Sequence, residues 1–470
     1  MLFSSTIFLF VFLPAVLFLY YRGFKKLQWR NYFLLFVSLF FYAWGEPIYV
    51  LLMLFSISSN FLLGLQINRT EGKGYRRFWL TVAVFINLAL LFHYKYLHFV
   101  TVSVNSLLGT QIPTTVRALP IGISFFTFQA MSYVIDVYRK QAQVQRNPFY
   151  LALYISFFPQ LIAGPIVRYN TIEQQILDRT VTAEKFQSGV IRFIQGFAKK
   201  VLLSNILSLT AEHTFAAAAE MNLTVLMAWL GSLAYTFQIF FDFSGYSDMA
   251  IGLGRMFGFE FEENFRYPYL SKSISEFWNR WHISLGHWFR DYVYFPLGGS
   301  RVSRGKLLRN LFVVWLLTGI WHGAAWQFLL WGLIYGVLIS LEKCTGIPKR
   351  LKNKPAIVGY SILTFLIVNF SWVLFGSQNL HAAVYQLGVM LGIGAAGLYD
   401  SYAVFTLSEY LPFYILAVLC STPLPGKLLK KIPEGIVSDI FQAVAYIGLL
   451  LICVSYLVMG AHNPFIYFNF

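Results

Sequence analysis

A histidine stands in the middle of an apolar hairpin, in the sequence Gly319-Ile320-Trp321-His322-Gly323-Ala324-Ala325-Trp326. Basic residues flank the hairpin: Arg301, Arg304, Lys306 and Arg309 before it, and Lys343, Lys349, Arg350, Lys352 and Lys354 after it. Because basic loops face the cytoplasm, Leu311 to Leu341 is predicted to enter the bilayer and return. Counted from Arg309 at about 1.5 Å per helical residue, His322 is predicted to lie roughly 20 Å into a hydrocarbon layer of about 30 Å. An ionisable side chain at that depth is costly and indicates a functional site.

The composition of the whole chain is that of a polytopic membrane protein. Of its 470 residues, 57% are hydrophobic and only 12% are charged, and the mean hydropathy is +0.60. The net charge of +16 does not indicate nucleic-acid binding, because the basic residues lie in short loops where membrane topology accounts for them. The three cysteines lack metal or disulfide spacing, and we expect no metal site.

Apolar runs separated by basic loops predict an all-α protein of roughly eleven transmembrane helices. The first run, Thr6 to Tyr20, is followed by basic residues, so its N-terminal end is expected outside the cytoplasm. Ala382 to Leu391 is predicted to be a helix at the outer interface, because a span there would push the following lysines outside. Ser273 to Tyr294 is rich in Trp and Arg, and we expect it to lie along the membrane surface or to plug a cavity.

The surroundings of His322 suit a general base. Three tryptophans form a predicted aromatic wall and two glycines permit close backbone approach: Trp321, Trp326, Trp331, Gly319 and Gly323. A dry aromatic wall holds an imidazole neutral, as a general base requires. The alternative is a buried histidine that hydrogen-bonds a neighbouring helix.

A second polar group lies in Ser275 to Leu285. On a single helix, Trp278, His282 and Leu285 share one face, while Glu276 and Arg280 form an ion pair four residues apart. That face could present His282 to a cavity. Without further information, we favour an interfacial helix anchored by tryptophans.

A third group is Asp242-Phe243-Ser244-Gly245-Tyr246-Ser247-Asp248. Its carboxylates could bind a cation or catalyse acid–base steps. Asp, Ser and Gly also cap and turn helices, and the structural interpretation is favoured.

At these motifs the sequence resembles the membrane-bound O-acyltransferase family, and within it the branch that O-acetylates alginate, peptidoglycan and other bacterial polysaccharides. The resemblance covers nearly the whole chain. It includes Pro120-Ile121-Gly122-Ile123-Ser124-Phe125, Ile162-Ala163-Gly164-Pro165, the Asp242 motif, Phe277-Trp278-Asn279-Arg280-Trp281-His282, Trp321-His322-Gly323 and the ending Ser455 to Phe470.

This resemblance implies a single membrane domain, residues 1–470, with transmembrane, re-entrant and interfacial helices around a central tunnel. It implies that His322 is the catalytic histidine and that His282 occupies the upstream polar catalytic position. Residues expected to line or support the tunnel are Trp281, Arg290, Asp291, Trp321 and Asn279.

The resemblance also implies a reaction. Acetyl-CoA would be the acyl donor, used as a substrate with no permanently bound cofactor. Neutral His322 would take the proton of an acceptor hydroxyl, and His282 would orient the imidazole or stabilise the oxyanion. The acceptor would be a polysaccharide outside the bacterial cytoplasmic membrane, reached through an extracytoplasmic partner of the SGNH-hydrolase type.

Two alternatives remain open from the sequence. The same fold could transfer D-alanine from a carrier protein to teichoic acid. A polysaccharide or lipid transporter could use His322 as a gate residue, although the paired broken helices typical of transporters are not found in the sequence.

Overall fold

The computed structural model describes residues 1–429, 431, 433, 435–460 and 463–466, and within these ranges every regular element is a helix. Seven described helices are long and apolar enough to cross a bilayer: Tyr49–Arg69, Lys73–Leu108, Val225–Met256, Trp326–Thr345, Lys354–Gly376, Ser401–Cys420 and Ile436–Val458. Phe8–Arg22 is apolar but shorter. These helices confirm the predicted all-α, polytopic class.

The chain folds as two compact units. The first consists of Met1–Phe193 and Met249–Glu262, and the second of Ile194–Asp248 together with the described residues from Glu263 onward. The helices of the first unit are Leu13–Arg22, Leu27–Gly45, Tyr49–Arg69, Lys73–Leu91, Leu97–Leu108, Ile123–Arg139, Pro148–Ser156, Phe158–Leu161 and Tyr169–Leu177, with π-helical turns at Phe8–Phe12 and Phe92–Tyr96. Ala183–Ala198 and Val225–Met256 contribute residues to both units.

The second unit holds most of the polar motifs that the sequence singles out. Its helices are Asn205–Ala219, Ile274–Arg280, Ile283–Phe289, Arg304–His322, Trp326–Thr345, Ile347–Arg350, Lys354–Gly376, Leu380–Met390, Ser401–Cys420, Leu424–Leu429 and Ile436–Val458. Shorter turns are the π-helical Lys199–Ser204 and Arg290–Tyr294 and the 3-10 turn Pro268–Leu270. Its buried core is strongly aromatic and includes Trp281, Trp331, Tyr335, Trp372 and Phe375.

Polar side chains fix where several helices of the second unit begin. The side chains of Ser273, Asn353, Asn379 and Asp400 each accept a hydrogen bond from a backbone N–H of the first turn that follows. Because the first N–H groups of a helix have no partner within it, such caps set the starting residue. The cap at Asn379 begins the eleven-residue helix Leu380–Met390, which is as short as the predicted interfacial helix in this region.

The candidate spans are fewer than the sequence predicts, because some apolar runs that the pattern counts as whole spans form helices that are short, interrupted or charged at one end. The run from Tyr150 to Ala163 breaks between Pro148–Ser156 and Phe158–Leu161, where Pro159 stands in the first turn of the second helix. Another run that the pattern predicts as a span, Val190 to Leu209, carries three basic residues, Arg192, Lys199 and Lys200. Mean hydropathy measures apolar content and does not show where a helix is interrupted.

The predicted apolar hairpin around His322 is confirmed. Helix Arg304–His322 and helix Trp326–Thr345 pack closely because glycines face each other at their crossing. A Cβ on Gly319 would lie 2.5 Å from the carbonyl oxygen of Phe328, and one on Gly332 would lie 2.5 Å from that of Trp315. No side chain fits at either position, so the two backbones meet directly.

The Asp242 motif has a structural role, as the sequence analysis favours, but it lies within helix Val225–Met256 and neither caps nor turns a helix. Asp242 Oδ1 lies 2.5 Å from Lys200 Nζ, with the two side chains only 1% and 3% exposed. Asp242 Oδ2 accepts a hydrogen bond from Ile466 N–H at 2.8 Å, and Lys200 donates to the carbonyl of Pro464. Asp248 pairs with Lys199 at 2.6 Å. The motif therefore ties Val225–Met256 to the neighbouring π-helical turn and to Pro464–Ile466.

Candidate functional site

His322 is the last residue of its helix and is buried at 3% exposure. Three aromatic rings approach the imidazole edge to face, with centroids at 5.0 Å for Trp321, 5.0 Å for Trp331 and 5.2 Å for Phe375. The predicted wall is corrected at one position, because Trp326 is 59% exposed and begins the return helix. Phe375, from helix Lys354–Gly376, completes the pocket instead.

His282 lies between two short helices rather than on one. Helix Ile274–Arg280 ends before it, Ile283–Phe289 follows it, and the backbone of His282 is left-handed with φ 45° and ψ 53°. The predicted continuous helix through Ser275 to Leu285 is therefore wrong, and its common face for Trp278, His282 and Leu285 does not form. The predicted ion pair of Glu276 with Arg280 is confirmed at 2.6 Å.

The left-handed backbone of His282 marks it as a special position. Non-glycine residues in this region cost of order 1–3 kcal/mol and persist where the surroundings hold them, often at functional sites. His282 is only 2% exposed, so its imidazole points into the protein rather than toward an aqueous interface. The interfacial-helix interpretation fails for this residue.

Trp321 brings the two histidines into one neighbourhood. Its ring centroid lies 5.0 Å from that of His322 and 5.9 Å from that of His282. Phe243 covers another side of His282 with a centroid distance of 4.6 Å. His282 lies outside the candidate spans, and burial lowers the pKa of its imidazole well below the usual value, with His322 lowering it further. The neutral form of the His282 imidazole is therefore favoured.

The other predicted site residues differ in burial and in the partners they contact. Trp281 is 1% exposed and packs 4.9 Å from Trp372, which stacks on Trp331 behind His322. Trp281 thus supports the pocket. Asn279 is exposed on its short helix. Arg290 is exposed and pairs with Asp291 at 2.8 Å.

Glu342 is a supporting residue that the sequence analysis does not identify. Its buried carboxylate accepts hydrogen bonds from the N–H groups of Ile274 and Ser275, both at 2.8 Å, and from the Tyr360 hydroxyl at 3.0 Å. The two backbone bonds fix the start of helix Ile274–Arg280, which leads directly to His282. Its place at the basic end of the helix, beside Lys343, gives no sequence signal for this role.

We expect Glu342→Ala to loosen this support. It removes three hydrogen bonds to a buried carboxylate, two from backbone N–H groups and one from the Tyr360 hydroxyl. Since each is worth about 1.5–3 kcal/mol, unfolding in detergent should become easier by at least about 3 kcal/mol. Denaturant titration followed by tryptophan fluorescence measures the change. Lys343→Ala is the matched control, because Lys343 is exposed on the same helix. Equal stability of the two variants would contradict the assigned role of the carboxylate.

Comparison with known proteins gives a consistent family. A family model described as the membrane-bound O-acyltransferase family matches residues 36–377, which include both histidines. The "probable alginate O-acetylase" of Pseudomonas syringae pv. tomato is 44% identical over 406 residues, covering 84% of this chain and 76% of that protein. A protein of the same name from Azotobacter vinelandii is 39% identical over 100% of both chains. The peptidoglycan O-acetyltransferase of Helicobacter pylori is 35% identical, covering 85% of this chain and 81% of its own.

Proposed function

Because this chain belongs to the membrane-bound O-acyltransferase family and is a multi-pass membrane O-acyltransferase, we propose that it moves an acetyl group from cytoplasmic acetyl-CoA to a polysaccharide outside the bacterial cytoplasmic membrane. The relatives named for alginate and peptidoglycan acetylation support an acetyl group and a cell-envelope acceptor. The acyl group would cross the bilayer without its carrier, through a tunnel that reaches His322 from both faces.

The observation that carries the proposal is the buried imidazole of His322 at the end of a helix that starts in a basic loop. The helix begins at Arg304 and ends at His322. At about 1.5 Å per residue, the stretch from Arg309, the last basic residue of the loop, to His322 is roughly 20 Å long, which would place the imidazole deep in a hydrocarbon layer of about 30 Å. A titratable group placed so deeply between Trp321, Trp331 and Phe375 suits proton transfer in an environment without water.

The proposed reaction uses His322 as a general base. The acceptor hydroxyl loses its proton to the imidazole while its oxygen attacks the thioester carbonyl carbon. The carbon–sulfur bond then breaks, and the CoA thiolate takes the proton back from the imidazolium. His282 would orient the imidazole of His322 or stabilise the oxyanion, a contribution typically worth about 3–4 kcal/mol for an oxyanion donor.

The basic loops suit the donor side of this reaction. Arg301 to Arg309 and Lys349 to Lys354 flank the hairpin and would hold the phosphates of CoA at the cytoplasmic face. On the other side, we propose that an extracytoplasmic partner of the SGNH-hydrolase type delivers the acetyl group to the polysaccharide. The N-terminal end of the first span is proposed to lie on that outer side.

Two other functions make different demands. A D-alanyl transferase would take its acyl group from a carrier protein instead of acetyl-CoA. A transporter would use His322 as a gate and release no thiol. The identity of the donor therefore separates D-alanyl transfer from the proposal, and the absence of thiol release separates transport from it.

The test is thiol release by the purified protein in nanodiscs. Acetyl-CoA and a D-alanyl carrier-protein thioester are supplied separately, each with and without a soluble acceptor hydroxyl. We expect free CoA to appear with acetyl-CoA. Release from the carrier protein alone would favour D-alanyl transfer, and release from neither donor, with or without the SGNH-type partner, would overturn the proposal.

A further inference from the structure

Asn264 is a buried side chain that contacts His282 directly. Its Oδ1 lies 3.2 Å from His282 Nδ1 and accepts hydrogen bonds from Ser284 N–H at 3.1 Å and from the Ser284 hydroxyl at 2.9 Å. Its backbone carbonyl accepts from Ile283 N–H at 3.0 Å. Asn264 is only 1% exposed. Its hydrogen bonds hold Ile283 and Ser284, the two residues that follow His282.

These contacts fix which way the amide of Asn264 faces. A backbone N–H can only donate, so the atom facing Ser284 N–H must be the amide oxygen rather than the NH₂ group. The same oxygen faces His282 Nδ1. Two acceptors would repel there, so Nδ1 must carry a hydrogen and donate it to Asn264.

This assignment sets the tautomer of His282. A neutral imidazole carries one proton on its two ring nitrogens. With that proton on Nδ1, the lone pair of the ring lies on Nε2. The neutral form is itself favoured, because His282 is buried among Phe243 and Trp321 and carries a pKa lowered by that burial.

We propose that Asn264 is a positioning residue that holds His282 as the Nδ1–H tautomer, so that Nε2 accepts a hydrogen bond during acyl transfer. The catalytic part of this proposal rests on the proposed function, whereas the tautomer does not. The Nδ1–H tautomer also distinguishes the two roles considered for His282, which are orienting the imidazole of His322 and stabilising the oxyanion. An Nε2 lone pair accepts from the acceptor hydroxyl or from His322, but it cannot donate to an oxyanion.

The same contacts explain how His282 keeps its left-handed backbone. Asn264 receives the N–H groups of Ile283 and Ser284, which are the first two after the strained residue. The strain at φ 45° is thereby offset where it arises. A substitution that leaves the Asn264 backbone carbonyl in place removes the side-chain contacts while retaining the bond to Ile283.

The tautomer is measured first, on the wild-type protein in lipid. Nitrogen NMR of ¹⁵N-histidine-labelled protein separates protonated from unprotonated ring nitrogens, and His282→Gln assigns the signal by difference. We expect a protonated Nδ1 and an unprotonated Nε2 at neutral pH. A protonated Nε2 would overturn the proposal, whether or not the protein releases CoA from acetyl-CoA.

Two variants then separate positioning from folding. Asn264→Leu removes the acceptor, and we expect Nδ1 to lose its proton preference and kcat to fall by about 10²- to 10⁴-fold, the scale of a wrong tautomer or a lost proton-transfer partner. Asn264→Asp keeps an oxygen at the same position, so it should retain Nδ1–H and at least about tenfold more turnover than Asn264→Leu. Ser284→Ala removes a donor to the same oxygen and should keep the wild-type tautomer.

The outcomes that overturn the catalytic part are specific. Wild-type turnover in a folded Asn264→Leu protein would overturn it. Equal losses of turnover in Asn264→Asp and Asn264→Leu, with the Nδ1–H tautomer retained in both, would also overturn it. Should Asn264→Leu fail to fold, the wild-type spectrum still decides the tautomer. The turnover of Asn264→Asp compared with that of Ser284→Ala then tests the catalytic part. A protein without acetyl turnover would contradict the proposed function and leave the spectrum as the deciding result.

Discussion

His322→Ala is expected to abolish acyl transfer without unfolding the protein. The imidazole is the group that takes the hydroxyl proton in the proposed reaction, and removal of a general base costs about 10²- to 10⁴-fold in rate. Release of CoA from acetyl-CoA in nanodiscs measures the loss. His322→Gln should lose as much activity, because the amide fills similar space and has no basic nitrogen.

The control for this experiment is His213→Ala. His213 is an exposed histidine of the same unit, with its ring 4.4 Å from that of Tyr402. Its replacement removes an imidazole but leaves the aromatic pocket of His322 untouched, so wild-type turnover is expected. Unchanged turnover in folded His322→Ala would contradict the general-base mechanism. Equal losses of turnover in the two variants would indicate that the losses come from impaired folding.

The site is predictable from sequence where its contacts are local. The hairpin follows from apolar runs between basic loops, and the contact of His322 with Trp321 follows from adjacency in the chain. The exposed position of Trp326 does not follow, because it depends on where the helix ends at His322. Periodicity cannot locate such an ending when the next residues are Gly and Ala.

The remaining parts depend on contacts between residues distant along the chain. Phe375 reaches His322, Asn264 reaches His282, and Glu342 reaches the start of helix Ile274–Arg280. Each looks ordinary in its own segment. The left-handed backbone of His282 is a further example, since Trp281-His282-Ile283 carries no glycine or proline to announce a break.

Loss of the Asp242 carboxylate is expected to cause the largest loss of stability. Asp242 and Lys200 form an ion pair that is almost completely buried, and Asp242→Ala leaves the Lys200 ammonium without its counter-charge. Breaking such a pair costs about 3–5 kcal/mol, because the remaining charge stays buried. Ile466 N–H loses its acceptor in the same variant. Chemical denaturation in detergent measures the first effect, and increased protease cleavage beside Pro464 reports the second.

A double variant shows whether the cost is that of an unpaired charge. Asp242→Leu with Lys200→Met removes both charges, and it should recover a large part of the stability lost in Asp242→Ala, since hydrophobic replacement of a whole buried pair is often neutral. The matched control is Asp248→Asn, whose partner Lys199 is 29% exposed and can be solvated, so that a loss of about 1 kcal/mol or less is expected. Losses that simply add in the double variant would show that packing, rather than charge, makes these positions sensitive. Recovery would establish that the two charges matter to each other, which is the reason an apolar core can hold an aspartate and a lysine at all.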